Sequence, residues 1–167
     1  VKAYLALKMA GDSPDAPHMV KTRNAILAAG GITACNTWTK IYLAMVGLYP
    51  WEGCPAIPPE LMLLPKWFPF SIYNMSAWSR AMFVPLSIIR SKEPVKPMPA
   101  SWQLDELWVG GKTNADLHLP WDPRTLTWRN FFLRVDTVLK FIHRHHPLPW
   151  LRRFAMRRAE RWIIDHG

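Results

Sequence analysis

Proline placement constrains this chain more than any other feature of its sequence. Sixteen prolines are spread through 167 residues, and each removes a backbone donor and restricts φ. Long coiled coils and central β-strands are disfavoured as a result, because a proline inside either one deletes a required hydrogen bond. The runs left between the prolines carry helical rather than period-2 spacing. The chain is therefore expected to be all-α, with long proline-rich connections.

Most of the expected helices have a local start and stop. Pro17 suits a first turn, and Met19, Val20, Arg23, Ile26 and Leu27 recur at helical spacing until Gly30-Gly31. Asn36 or Thr37 caps a second helix whose face carries Trp38, Ile41, Tyr42, Met45 and Val46 before Gly47. The stretch from Tyr49 to Glu60, broken by Pro50, Pro55, Pro58 and Pro59, is expected to be ordered but irregular. Pro59 starts a short helix through Leu64, and Ser76 caps a longer one from Ala77 to about Arg90 that Pro85 kinks.

Residues 92–123 read as an extended connection across a surface, with at most one turn around Leu104-Trp108. Two antiparallel amphipathic helices follow. The first carries Phe131, Phe132, Val135, Val138, Leu139 and Ile142, and the second Leu151, Phe154, Ala155, Arg158, Ala159, Trp162 and Ile163. Helix pairs of this kind stack into solenoids or close into toroids. Ala3-Leu7 reads as the middle of an amphipathic segment and Asp165-Gly167 follows a helical run, so the chain is expected to be an internal piece of a larger protein.

A net charge of +9 invites an anionic partner, and Arg144, Arg152, Arg153, Arg157, Arg158 and Arg161 concentrate it near one end. A solvated or internally paired face is the favoured reading, with lipid or nucleic-acid phosphates the alternative. Cys35 and Cys54 lack paired spacing, which points to neither a disulfide framework nor zinc. No apolar run reaches the roughly 18 residues that span a bilayer, which leaves peripheral membrane contact open.

The chemical candidates are weak one by one. In His143-Arg144-His145-His146 no carboxylate or cysteine completes a ligand set, so a solvated helix end is preferred over a metal site. Asp12 and Asp15 flank Ser13-Pro14 and read as loop acids capping the next helix, as does Glu60 after Pro58-Pro59. No nucleophile elbow or phosphate-binding loop occurs. Trp51 stands out. Restricted backbone on both sides can hold its ring rigidly, either with one face toward a cavity or packed in the core.

From Pro58-Pro59-Glu60-Leu61-Met62-Leu63-Leu64-Pro65-Lys66-Trp67-Phe68-Pro69-Phe70 through Met75-Ser76-Ala77-Trp78-Ser79-Arg80-Ala81-Met82-Phe83-Val84-Pro85-Leu86-Ser87, the sequence resembles bacterial squalene-hopene cyclases. The likeness extends to Ala6-Gly11, Ala16-Val20, Arg23-Leu27 and Tyr49-Glu52, and onward to Pro94-Pro97 and Leu104-Leu107. Essentially the whole chain is covered. Oxidosqualene cyclases share Pro58-Pro59-Glu60 and Leu63-Leu64-Pro65, while Lys66-Phe70 and residues 96–107 are more similar to the hopene-forming branch.

The resemblance implies two α/α-toroidal domains with the active cavity between them, residues 1–167 forming part of the smaller, N-terminal one without an internal boundary. It implies that squalene is protonated by an aspartic acid of an Asp-rich motif and cyclised as a polyene cation over aromatic faces, ending as hopene or hopanol. Ten tryptophans suit that chemistry, since π faces stabilise a carbocation without capturing it. By position, Trp51 resembles a tryptophan lining the cyclisation cavity, and Leu48 and Ala56 lie near the substrate channel.

The Asp-rich motif and complete glutamine-tryptophan repeats are absent from these residues, so no catalytic residue, metal or cofactor is expected in this chain. The expected partners are squalene, a membrane surface and the remaining C-terminal cyclase domain. A homodimer is left open, and nucleic acid is not expected. The expected setting is peripheral, on the cytoplasmic face of a bacterial membrane. The rival readings are a non-catalytic helical-repeat binding module and an oxidosqualene cyclase.

Overall fold

The computed structural model describes residues 1–69, 71–113, 115–117, 122–124, 127–145 and 148–166. Phe70, Pro120, His146, Pro147 and Gly167, which the sequence reading used, lie outside them. Among the described residues all regular structure is helical, as expected, and no helix is long and apolar enough to cross a membrane. The chain forms two compact units, Val1–Cys54 with Val95–Leu119 and Pro55–Pro94 with Pro120–Gly167. Each unit joins two separated stretches of sequence, so the division is not a single cut along the chain.

The first unit contains α1 (Lys2–Ala10), α2 (Pro17–Ala28) and α3 (Thr37–Met45). Pro17 occupies the first turn of α2. Asn36 caps α3 by accepting from the Thr39 amide at 2.9 Å, which satisfies one of the donors that a helix start leaves open. After α3 the chain turns at Gly47, and residues 95–98 return alongside its end. There Lys96 N–H donates to Met45 C=O at 2.8 Å and Met98 N–H to Val46 C=O at 3.2 Å.

Beyond that point the structure departs from a connection laid over a surface. Two 3-10 turns form, at Ala100–Trp102 and Asp105–Leu107, where one was expected. Leu104, Leu107 and Trp108 are buried with Tyr4, Met19 and Ile32. Gly31 shows how closely this segment approaches. A Cβ there would meet the Leu107 carbonyl oxygen at 2.7 Å, and its φ of +71° suits only glycine.

The second unit contains α4 (Ala77–Lys92), α5 (Trp128–His145) and α6 (Pro149–His166). Ser76 caps α4, accepting from the Ser79 amide at 3.1 Å, and α4 continues through Pro85 two residues past the expected Arg90. Pro59–Leu63 is a 3-10 turn rather than a short α-helix. Against this turn and α4 lies α6, which buries Ala155 and Ala159. Met62, Ile72 and Val84 complete that core with Ala159, flanked by Leu61, Tyr73, Ile88, Trp162 and Ile163.

α5 is docked the opposite way from an ordinary amphipathic helix. Its polar side, with Asp136 and His143, makes the contacts, while Phe131, Phe132, Val138, Phe141 and Ile142 are exposed. Of the expected stripe, Val135 and Leu139 are half-buried and the rest is exposed, so within this chain it is not a core face.

Candidate functional site

The residues singled out from sequence fall in both units. Leu48 and Trp51 belong to the first and Ala56 to the second. Gly47 ends α3 with φ +75°, and Leu48 N–H then donates to Leu43 C=O at 2.8 Å, turning the Leu48 side chain fully inward. Pro50 leads into the 3-10 turn Trp51–Gly53. Bonds from Gly53 N–H to Pro50 C=O at 3.2 Å and from Cys54 N–H to Trp51 C=O at 3.0 Å close it. This turn makes the backbone at Trp51 rigid, and its side chain is only 7% exposed.

An aromatic nest surrounds the turn. Tyr49 stacks on Trp108 with centroids 5.5 Å apart and planes 7° from parallel, a packing that adds to simple burial. The Lys40 ammonium lies 5.7 Å from the Tyr49 ring centroid, within cation–π range. Burial pushes the Tyr49 phenol up to about 12. Nearby, Tyr4 donates to Glu106 at 3.0 Å, and Lys8 donates to the same Glu106 oxygen at 2.6 Å. Burial and then the Glu106 contact raise the Tyr4 phenol to about 12. For Glu106, burial acts upward, but the hydrogen bonds from Lys8 and Tyr4 outweigh it and hold the carboxyl below its ordinary value.

In the second unit the peptide group joining Pro55 to Ala56 is gripped at both ends. Its carbonyl accepts from Arg90 Nε at 3.1 Å, and its N–H donates to Asp136 Oδ1 at 2.7 Å. Arg90 is 4% exposed and also pairs with Glu93. No sequence motif marks Arg90 or Asp136. One signal was present, because Asp136 is the only acid in α5.

Several weaker candidates are resolved by their contacts. His143 is not a solvated helix end. Arg152 Nη2 donates to its Nδ1 at 2.7 Å, and its Nε2 lies 3.0 Å from Glu93 Oε1, which selects the Nε2–H tautomer. Arg152 is itself half-buried and donates to Ser91 at 3.1 Å, and burial lowers its guanidinium from the usual range. Arg158 reaches Tyr73 at 3.3 Å. By contrast, Arg153 and Arg157 lie with Trp150 and Phe154 on an exposed face of α6.

Asp12 and Asp15 do not cap α2, whose N-cap is Ala16 without a side-chain bond; Asp12 instead pairs with His18 at 3.0 Å. Glu60 sits in the first turn of Pro59–Leu63 but makes no side-chain cap. Among the described residues no three potential ligands gather into a metal-binding group. An apolar nook beside Ile57, Leu61, Met62 and Phe83 holds only about 10 Å³, too little for a substrate.

Comparison with known proteins gives a consistent result. The family model for the squalene-hopene cyclase N-terminal domain matches residues 1–167. A squalene–hopene cyclase of Zymomonas mobilis is 45% identical over 147 residues, covering 88% of this chain and 22% of that protein. One from Bradyrhizobium diazoefficiens is 41% identical over 142 residues, covering 85% of this chain and 22% of that protein. A dammaradiene synthase of Dryopteris crassirhizoma is 34% identical over 166 residues, covering 99% of this chain and 24% of that protein. The chain thus spans less than a quarter of the length of these relatives, and its all-helical structure is consistent with a place in an α/α toroid.

Proposed function

The chain belongs to the squalene-hopene cyclase family, and we propose that the whole protein protonates and cyclises squalene to a hopene or hopanol skeleton. The observation that carries this reading is the match of the full 167 residues to the family's N-terminal domain, supported by relatives named for that activity. The reaction is an isomerisation when the final cation loses a proton to give hopene. Addition of water gives hopanol instead. No residue of this chain is proposed as the proton donor.

The share of this chain is then structural and electrostatic. Trp51 contributes to the aromatic wall, where a π face stabilises positive charge without offering a nucleophile. The turn Trp51–Gly53 limits its motion, which keeps such a wall preorganised. Ala56 contributes to the channel that delivers squalene. A peripheral position on the cytoplasmic face of a membrane belongs to the same proposal. It is supported by the exposed apolar side of α5, which offers Phe131, Val138 and Phe141 to a lipid phase.

The test is the full-length protein supplied separately with squalene and with its epoxide, alongside Trp51→Ala and Trp51→Phe. Cyclisation of squalene by the wild type is expected, with at least roughly 10-fold slower turnover or early-terminated products for Trp51→Ala. Turnover of the epoxide alone would overturn the squalene assignment. An unchanged rate and product profile in Trp51→Ala would remove Trp51 from the wall.

A further inference from the structure

We propose that Asp136 and Arg90 are positioning residues that hold the Ala56 segment in place by clamping the Pro55–Ala56 peptide group. This rests on the reading of Ala56 as part of the squalene channel. Two helices supply the clamp from opposite ends of one peptide plane. Arg90 of α4 binds the carbonyl at 3.1 Å and Asp136 of α5 binds the N–H at 2.7 Å.

The segment has few other ways to be held. Pro55, Pro58 and Pro59 carry no N–H, so between residues 55 and 59 only Ala56 and Ile57 have backbone donors. Neither a helix nor a strand ladder supports residues 55–58. Side chains must set their place, and both clamping groups are themselves held. Arg90 is buried and paired with Glu93, while Asp136 keeps Oδ1 for Ala56 because Oδ2 faces Lys140 at 3.0 Å. A bond from an amide to an ionised carboxylate is among the stronger neutral-pH hydrogen bonds.

The clamp also ties the segment to α5. The side of that helix opposite Asp136 exposes Phe131, Val138 and Phe141, so whatever covers it bears on the helix that holds Ala56. A shift of α5 along its axis would withdraw Oδ1 from the amide and leave only the Arg90 half of the clamp.

The experiment compares full-length wild type with Asp136→Ala, Asp136→Asn and Lys140→Gln, using squalene turnover and hydrogen exchange of the peptide containing Ala56. Asp136→Ala should speed exchange at Ala56 by roughly 10-fold or more. It should lower kcat/KM by about 10-fold with kcat within about twofold, because delivery rather than cyclisation is disturbed. Asp136→Asn should recover most of both, since its amide oxygen still accepts from Ala56. Lys140→Gln, which removes the partner of Oδ2 but leaves Oδ1 in place, should fall between wild type and Asp136→Ala in both measurements.

Unchanged exchange at Ala56 in Asp136→Ala would overturn the clamp. Faster exchange with unchanged kcat/KM, or equal damage from Asn and Ala, would overturn the positioning role. A wild type that leaves squalene untouched would overturn the cyclase reading by itself, while the exchange measurement still decides whether the clamp exists.

Discussion

Gly53→Ala tests the aromatic nest through a single added methyl group. Gly53 has no left-handed φ, so alanine meets no backbone penalty there. The obstacle is Tyr49. The new Cβ would lie 2.5 Å from its Oη, 2.6 Å from Cε1 and 2.8 Å from Cζ, whereas ordinary contact begins at 3.4 Å. The ring cannot step aside cheaply, because it is buried and stacked on Trp108. Overpacking of this kind costs about 1–3 kcal/mol. Replacing glycine by alanine also restricts the unfolded chain, which stabilises by about 0.4–1 kcal/mol. With all three contacts under 3.0 Å the overpacking cost belongs at the upper end, about 2–3 kcal/mol, so the expected net local destabilisation is about 1–2.5 kcal/mol, or roughly 5- to 70-fold faster amide exchange across residues 48–54.

The sign is decisive. If Gly53 were merely a flexible turn residue, the unfolded-state effect would stand alone and exchange would slow. A Gly53→Ala protein with unchanged or slower exchange therefore refutes the packing argument. A second variant separates this steric clash from general damage. Tyr49→Leu removes the ring atoms that the methyl group strikes, so adding Gly53→Ala to it should cost less than in the wild type. Additive effects of the two substitutions would also count against the proposed contact.

The Lys8–Glu106–Tyr4 network predicts pH sensitivity at both extremes. Because folding holds Glu106 below its ordinary value of 4.5, its contribution is present above that pH and is lost as pH falls through the folded value. Glu106→Gln should flatten the acid limb of an unfolding profile, and a wild-type slope in that variant would dismiss the carboxylate as its source. Tyr4 has the opposite sign. Its phenol is raised from 10.0 to about 12, so stability is intact below pH 10 and is lost toward about 12, a loss that Tyr4→Phe should reduce. For α5, Phe131→Glu combined with Phe141→Glu should weaken sedimentation of the full-length protein with phosphatidylglycerol-containing vesicles by at least roughly 10-fold. Equal sedimentation of variant and wild type would show that this face does not meet lipid.

Much of the fold was legible because its signals are local. Asn36 and Ser76 cap helices through amides only three residues away, and Pro17 marks the first turn of α2. The irregular stretch around Trp51 was equally readable, since prolines act on their own residues and immediate neighbours. Local reasoning failed where competing partners were near in sequence. Asp12 could have capped α2 but pairs with His18 instead.

The helical periods, most of the helix starts and the restricted backbone at Trp51 follow from neighbouring residues alone, since each depends on positions within a turn or two. Tertiary structure decided which face each helix turns inward. The period of α5 defines an apolar and a polar side, but only its partners, the Ala56 amide and the Glu93–Arg152 cluster, turn the polar side toward the unit. The same holds for Tyr4 with Glu106 and for Arg90 with Pro55, whose pairings span 102 and 35 positions. Such contacts leave no periodic trace, because the free energy that selects them comes from burying and satisfying groups that chain folding brings together.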